Sequence, residues 1–410
     1  MIRSLAFAAL VALSALLALS RATELLDLHT LDLQFRVLRT WLPRPAPEVV
    51  IVGIDHESME RIPEPMALWH RHLGNFLSAL VSARPAVVGV DIVLPDRSYE
   101  SIAPNTDKLL IRGLLDARRS YPMVLGLTVD PAGTTRKVHP PFIGVAGPDS
   151  TGYALFPLDR DGVVRRFDEH LAEGGAPIPT LAGQMARRLG KSANAGYIDY
   201  SRGAPYEYIP LHRVLDWIER DDAQALEHAF RGKPVLLGMI DRFNDRRPVA
   251  AQLAAWEADA SDMPGVLINA QALRNMLDTG FAQRIDQAWI ALAAAVAASA
   301  WFISAGTVSI VLVACALALS LLALSTALLA QAIIVPVMPV VLPLVLGLGL
   351  RHAWDTAGRL AERRRLRASF GGYVSPSVME EILAGHLQPE LGGVEKFVCV
   401  LFSDIRGYTT

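Results

Sequence analysis

Between Ala288 and Leu350 the chain runs for 63 residues without one Asp, Glu, Lys or Arg, and all 39 basic and 41 acidic residues lie elsewhere. A helix needs about 20 apolar residues to cross about 30 Å of hydrocarbon, so the block has the length of three spans. We divide it at residues 288–306, 307–330 and 331–350, joined by very short turns. Pro336, Pro339 and Pro343 fall in the last span, where membrane helices tolerate proline better than soluble ones. Arg351, Arg359, Arg363, Arg364, Arg365 and Arg367 come after it, an excess of positive charge that marks the cytoplasmic side. The turns carry no charge, so two passes are the alternative count. Residues 5–20 form a shorter apolar run between Arg3 and Arg21. It reads as an uncleaved anchor within residues 1–24; the rival reading is a secretory signal peptide. Either one exports the chain beyond Arg21. This partition excludes a freely soluble enzyme and a transporter spread through the bilayer. An inner-membrane, multi-pass protein with residues 21–287 outside the cytoplasm is the expectation, and the lipid bilayer is its first partner.

The exported stretch is long enough for a substantial core, close to the size at which single cores stop growing. A net charge of −2 gives no electrostatic footprint for nucleic acid. The two cysteines, Cys315 and Cys399, lie outside this stretch, which excludes a disulfide framework or a thiolate metal cluster there. Residues 43–47, Pro-Arg-Pro-Ala-Pro, are a stiff lead-in to a first strand at 48–55. Apolar runs recur at 86–93, 122–129 and 234–240 without clean alternation, as in central strands covered by helices on both faces. Leu73, Phe76, Leu77 and Leu80 have helical spacing within residues 70–83. Residues 159–162 read as a tight turn before a half-exposed strand at 163–167. Pro264 and Gly265 open a helical run that leads toward the apolar block. The expected class is α/β.

Asp55 and Asp91 each close an apolar strand, where ligands gather in open α/β sheets. They are also placed to cap the next turn of backbone. As a pair they would suit a cation or acid/base work in an exported hydrolase, but no HExxH, GxSxG, P-loop or dinucleotide fingerprint accompanies them. Arg160, Arg165 and Arg166 have the charge to meet an anion; a solvated strand face is the plainer reading.

Segments 50–55, 87–95, 159–166, 234–238 and 263–273, in that order between one N-terminal span and three clustered ones, resemble a CHASE2 sensory domain. The likeness covers about residues 25–350. It implies reception of an extracytoplasmic ligand or protein, with no cofactor expected in the sensory domain. Asn269 departs from the His common in the family. The sensory pocket expected is Asp55, Asp91, Arg165 and Asn269.

Residues 351–370 are rich in good helix formers and read as a short signalling helix, either a parallel dimer helix or an interfacial stop. Ser375, Ser377 and Pro376 suit the start of another helix. Residues 397–402 read as a strand that ends in Ser403-Asp404-Ile405-Arg406-Gly407-Tyr408-Thr409. Carboxylate oxygen before a Gly-containing turn suits Mg²⁺ and phosphate. That ending, with 373–383 before it, resembles the opening of a class III nucleotide cyclase domain. The resemblance implies that Asp404 and the Ile405 carbonyl hold two Mg²⁺ or Mn²⁺ ions. Amides of Ile405, Arg406, Gly407, Tyr408 and Thr409 would contact the phosphates of ATP or GTP, in a homodimer. The expected layout is thus an anchor (1–24), an α/β sensory domain (25–287), three spans (288–350), a signalling helix and transducer (351–383) and a truncated α+β cyclase stub (384–410). The stub lacks the second metal aspartate, so the 410 residues are expected to be catalytically silent. A non-enzymatic membrane ligand-binding or scaffold protein is the alternative.

Overall fold

A computed structural model describes residues 2–20, 22–130, 132–171, 176–257, 260–370, 397 and 399–403. The chain enters through α1 (Ile2–Leu19) and turns into α2 (Glu24–Trp41) across a 66° bend. α2 buries Leu28, Leu31, Phe35 and Leu38 on one face, the 3–4 spacing of an amphipathic helix.

The domain that follows alternates strand and helix. β1 (Val50–Ile54) leads to α3 (His56–Arg61) and α4 (His70–Ala83), and β2 (Val87–Asp91) to α5 (Thr106–Ser120). β3 (Met123–Leu127), α6 (Pro140–Ala146) and β4 (Thr151–Tyr153) come next, then β5 (Arg166–Phe167), α7 (Leu181–Arg188), β6 (Gly196–Tyr197), β7 (Tyr208–Pro210), α8 (Leu211–Glu219), α9 (Ala223–Phe230) and β8 (Pro234–Met239). The main sheet has the order β4-β3-β2-β8-β1-β7, with every pairing parallel. β8 arrives late and slots between β1 and β2. Val50, Val52, Val88, Val90 and Leu237 face the core under α4, α5, α8 and α9; Ile51, Val87, Val124 and Leu236 face the other core, under α2, α7 and α10. Burial on both faces is why these strands lack polar alternation, and the α/β expectation stands.

The segment read as a half-exposed strand at 163–167 forms only the two-residue β5, paired with β6, and a single bridge from Val164 to Val249. β9 (Arg246–Pro248) and β10 (Asp262–Pro264) make a small antiparallel ladder. Beyond it α10 (Gly265–Leu277) is buried along nearly its whole length. β11 (Gln283–Arg284) then leads into α11 (Gln287–Ala298) and α12 (Thr307–Leu329). β12 (Ile333–Ile334) comes after α12, and α13 (Met338–Phe370) after β12.

Among the described residues α12 is the single helix long and apolar enough by itself to cross a membrane. α1 meets that test only jointly with α2, and residues Gln287–Phe302 form a shorter apolar helix. The expected division at 331 is displaced. Ile333 and Ile334 pair in parallel with Gln283 and Arg284, and the helix restarts at Met338, with Pro339 in its first turn, where a missing N–H costs no intrahelical bond. The expected helix at 351–370 is the continuation of α13, 33 residues in one piece. Phe397 and residues 399–402, read as a strand, lie exposed and outside any strand; among the described residues no neighbouring strand is placed to complete a ladder. The transducer segment 371–383 lies outside the described residues.

Candidate ligand site

The carboxyl edge of the main sheet carries Asp55 and Asp91, and it separates them. Asp55 is the N-cap of α3: its Oδ1 accepts from the Ser58 amide at 2.8 Å. Its Oδ2 accepts from the Tyr208 hydroxyl at 3.3 Å, and His212 Nδ1 lies 3.6 Å from Oδ1. The capping role therefore holds. Asp91 sits level with Gly238 on β8, and Gly238 level with Gly53 on β1. Two strand spacings, about 10 Å, thus separate the strands that carry Asp55 and Asp91. They do not form the acid/base pair that an exported hydrolase would need.

Asp91 instead joins Asn269. The Asn269 Nδ2 donates to Asp91 Oδ2 at 3.1 Å, one turn inside α10. Burial first, and the charge of Asp245 second, push the Asp91 carboxyl up to about 7, while the Asn269 hydrogen bond pulls the other way. Gly238 is required here, because a side chain on it would meet Val266 and Asp91.

Arg165 is neither in a pocket nor on a solvated face. It is fully buried, and its guanidinium forks onto Asp32 with two bonds of 2.7 Å. Further bonds reach Asp159 at 3.2 Å and Asp161 at 2.9 and 2.7 Å. Burial alone would lower its pKa, but the hydrogen bonds to Asp32 and Asp161 outweigh it and hold the group charged. Arg165 bolts α2 to the 159–165 turn. Arg166, half exposed, pairs with Asp159, and Arg160 reaches Glu24. Of the four expected pocket residues, only Asp91 and Asn269 come together.

The cavity that does open on this edge lies on the other face of β2. It measures about 690 Å³, within the range of small-molecule sites. Three segments wall it: the start of α4, the loop after β2, and the hairpin after β3. The hairpin is held by a bridge between Val129 and Thr135 and by Asp130 Oδ1, which accepts from the Ala132 and Thr134 amides at 2.9 and 2.8 Å. His139 N donates to Pro95 O at 2.8 Å, which ties the hairpin to the β2 loop.

Trp69 and His70 form the deep wall. Trp69 Nε1 donates to Glu64 O at 2.7 Å. His70 is fully buried, yet among the described residues neither ring nitrogen makes a hydrogen bond. Asp107 Oδ1 lies 3.2 Å from Nδ1 and also accepts from the Tyr99 amide at 3.5 Å, while Oδ2 accepts from Ser98 Oγ. Burial lowers the His70 pKa, Asp107 opposes it, and His139 adds to the lowering, so the imidazole is neutral at pH 7. At the mouth Arg97 pairs with Asp96. Arg136 and Lys137 are exposed there, and among the described residues neither makes a salt bridge. The sequence held one usable signal for this site, a His-x-His pair and a Trp at a helix start below a strand-end loop, and reading residues 70–83 for apolar spacing alone passes over it.

Among the described residues no three His, Cys, Asp or Glu side chains converge as a metal site. Asp404, Ile405, Arg406, Gly407, Tyr408 and Thr409 lie outside the described residues, so no catalytic step is derived through the metal pair that the cyclase resemblance implies. No curated protein and no solved structure matches the chain significantly. The family model for the CHASE2 domain matches residues 7–317. That match runs from α1 through the whole α/β domain into α12, and the chain belongs to the CHASE2 family, whose domains are extracellular sensory modules of signalling proteins.

Proposed function

We propose that the chain is the sensory and membrane part of a receptor that governs cytoplasmic synthesis of a cyclic nucleotide, cAMP from ATP or cGMP from GTP, as a homodimer. The observation that carries this reading is the clamp between the sensory domain and the apolar helices. β11 leaves the domain directly after α10 and pairs with β12, the link between α12 and α13. The Met338 amide donates to Asp27 Oδ1 at 2.9 Å, which adds the start of α2 to the same junction. A shift of α10 against the sheet is thereby delivered to the first turn of α13. α13 then runs on as one helix, about 50 Å long at 1.5 Å per residue, from the apolar segment into the Arg-rich one.

The membrane reading has α1, α11, α12 and α13 crossing, with the arginines after Leu350 on the cytoplasmic side. α2 fits it. Leu26, Leu33, Val37 and Trp41 form an exposed apolar stripe, opposite the face that packs on the domain. Gln34 on its flank donates to Ser325 and Thr326 near the end of α12, at 3.0 and 3.1 Å. A helix apolar on its open side, with a Trp at its end and an apolar helix beside it, suits the outer boundary of a bilayer.

By resemblance, residues 404–409 supply the output, with Asp404 holding metal. The test is the product of the native gene, reconstituted in liposomes with Mg²⁺ or Mn²⁺ and assayed with ATP and with GTP. One cyclic product, abolished by Asp404→Ala, is expected. No cyclic product from either nucleotide sinks the cyclase reading and leaves a non-enzymatic membrane receptor or scaffold.

A further inference from the structure

We infer that the crevice behind Trp69 and His70 is the receptor's ligand site, and that it takes a small monocarboxylate with an apolar body and a distal hydroxyl. The inference rests on the reading of this domain as a sensor, and it adds the chemical class of what is sensed.

Charge selects the anion. Two acids line the cavity, and both are engaged: Asp96 by Arg97 and Asp130 by the amides of its own turn. Of the two cations at the mouth, Lys137 has no such partner among the described residues, and Arg136 forms no salt bridge there but meets Asp96 through its charge alone. The charged side chains of the lining, Arg97, Arg136 and Lys137 against Asp96 and Asp130, leave a net +1. That balance matches a monocarboxylate better than a phosphate dianion. An Arg at a mouth also offers a planar fork that a carboxylate fits.

The wall selects the body. Trp69, Leu73, Ile92 and Leu94 line the same cavity, an apolar surface continuous with the core under α4. His70 selects the far end. A buried imidazole without a hydrogen bond at either nitrogen is rare in native proteins; here Asp107 stands 3.2 Å from Nδ1, Nε2 has no partner among the described residues, and the ring borders the cavity. With its Nδ1–H turned to Asp107, the neutral ring leaves Nε2 as an acceptor, which a hydroxyl completes. Phe142 and Tyr99 hold the ring in place, with centroids at 5.4 and 5.8 Å.

The experiment is calorimetric titration of the whole chain in nanodiscs with benzoate, 4-hydroxybenzoate, phenylacetate and 6-hydroxyhexanoate. The neutral 4-hydroxybenzamide serves as the charge control. Saturable binding of at least one hydroxylated acid is expected, about tenfold or more tighter than the amide, as for a charge-assisted contact. Arg136→Ala with Lys137→Ala, both exposed and safe for folding, should weaken the acid about tenfold and leave the amide unchanged. His70→Phe should remove the preference for a hydroxylated acid over its plain counterpart. Where that variant does not fold, the Arg136 and Lys137 arm decides. The inference is overturned by any of three results: no saturable binding of all four acids at millimolar concentration, equal binding of acid and amide, or indifference to the double variant. Binding is read on the chain itself, so such a failure is separate from failure of the cyclic nucleotide assay.

Discussion

Arg165 and Asp91 are both ionisable residues, the first fully and the second partly withdrawn from water, and they resolve that cost in opposite ways. Arg165 is matched by the carboxylates of Asp32, Asp159 and Asp161. Removing one partner of a buried pair strands the rest, which costs about 3–5 kcal/mol. Arg165→Met should therefore lower stability by about that amount in denaturant unfolding, and Arg165→Lys should recover little, since an ammonium cannot fork onto Asp32. Arg165→Met with Asp32→Leu should regain part of the loss. Asp91 forms no ion pair among the described residues and resists ionising instead. Its folded pKa of about 7 lies above the ordinary 3.8, so between those values the folded state holds a proton that the unfolded state has lost. Stability from this group is complete below about pH 4 and falls as the pH rises to 7, by about 4 kcal/mol at most. Thermal unfolding of Asp91→Asn against the parent, from pH 4 to 8, should show the variant gaining relative stability with pH. Parallel curves would remove the buried-acid assignment.

At the scale of elements, α4 and α5 approach as closely as their glycines allow. A Cβ on Gly113 would meet the Gly74 Cα at 2.7 Å, and one on Gly74 would meet the Leu109 carbonyl carbon at 2.6 Å. Backbone blocks both positions, so no rotamer change relieves them. Gly113→Ala should destabilise by about 1–3 kcal/mol despite the better helix propensity of alanine, read as a drop in midpoint with an unchanged denaturant slope. Of the two helices, α4 carries His70 and Leu73 of the crevice wall, so a shift of α4 caused by the same substitution should weaken binding in the cavity. The elements themselves were largely legible. Residues 70–83 have a helical stripe and became α4, and residues 87–91 and 234–239 are apolar runs that became central strands. The strand expected at 163–167 shrank because its one strand partner, β6, is only two residues long and Val164 meets Val249 through a single bridge.

For the whole molecule the decisive contact is the clamp of Gln283 and Arg284 on Ile333 and Ile334. It closes a loop of 49 residues between facing positions, and adjacent strands place Cα atoms within disulfide reach, about 4.8 Å. Arg284→Cys with Ile334→Cys, in a background of Cys315→Ser and Cys399→Ser, should crosslink on oxidation and raise the unfolding temperature. A thiol count unchanged by oxidant would show the register to be wrong.

What the sequence by itself determined is what can be read over a few neighbouring residues. The uncharged block, the apolar strands, the amphipathic helices and the cap at Asp55 each arise from side chains close in sequence, where periodicity and local hydrogen bonding act. The CHASE2 likeness was legible because it resides in the order of such pieces. Only the tertiary structure decided the rest. Asp91 meets Asn269 across 178 positions and Arg165 meets Asp32 across 133, and β8 enters the sheet between strands formed far earlier. The crevice takes its walls from three separate segments. Partners so distant are chosen by packing of the whole core, which no local pattern encodes.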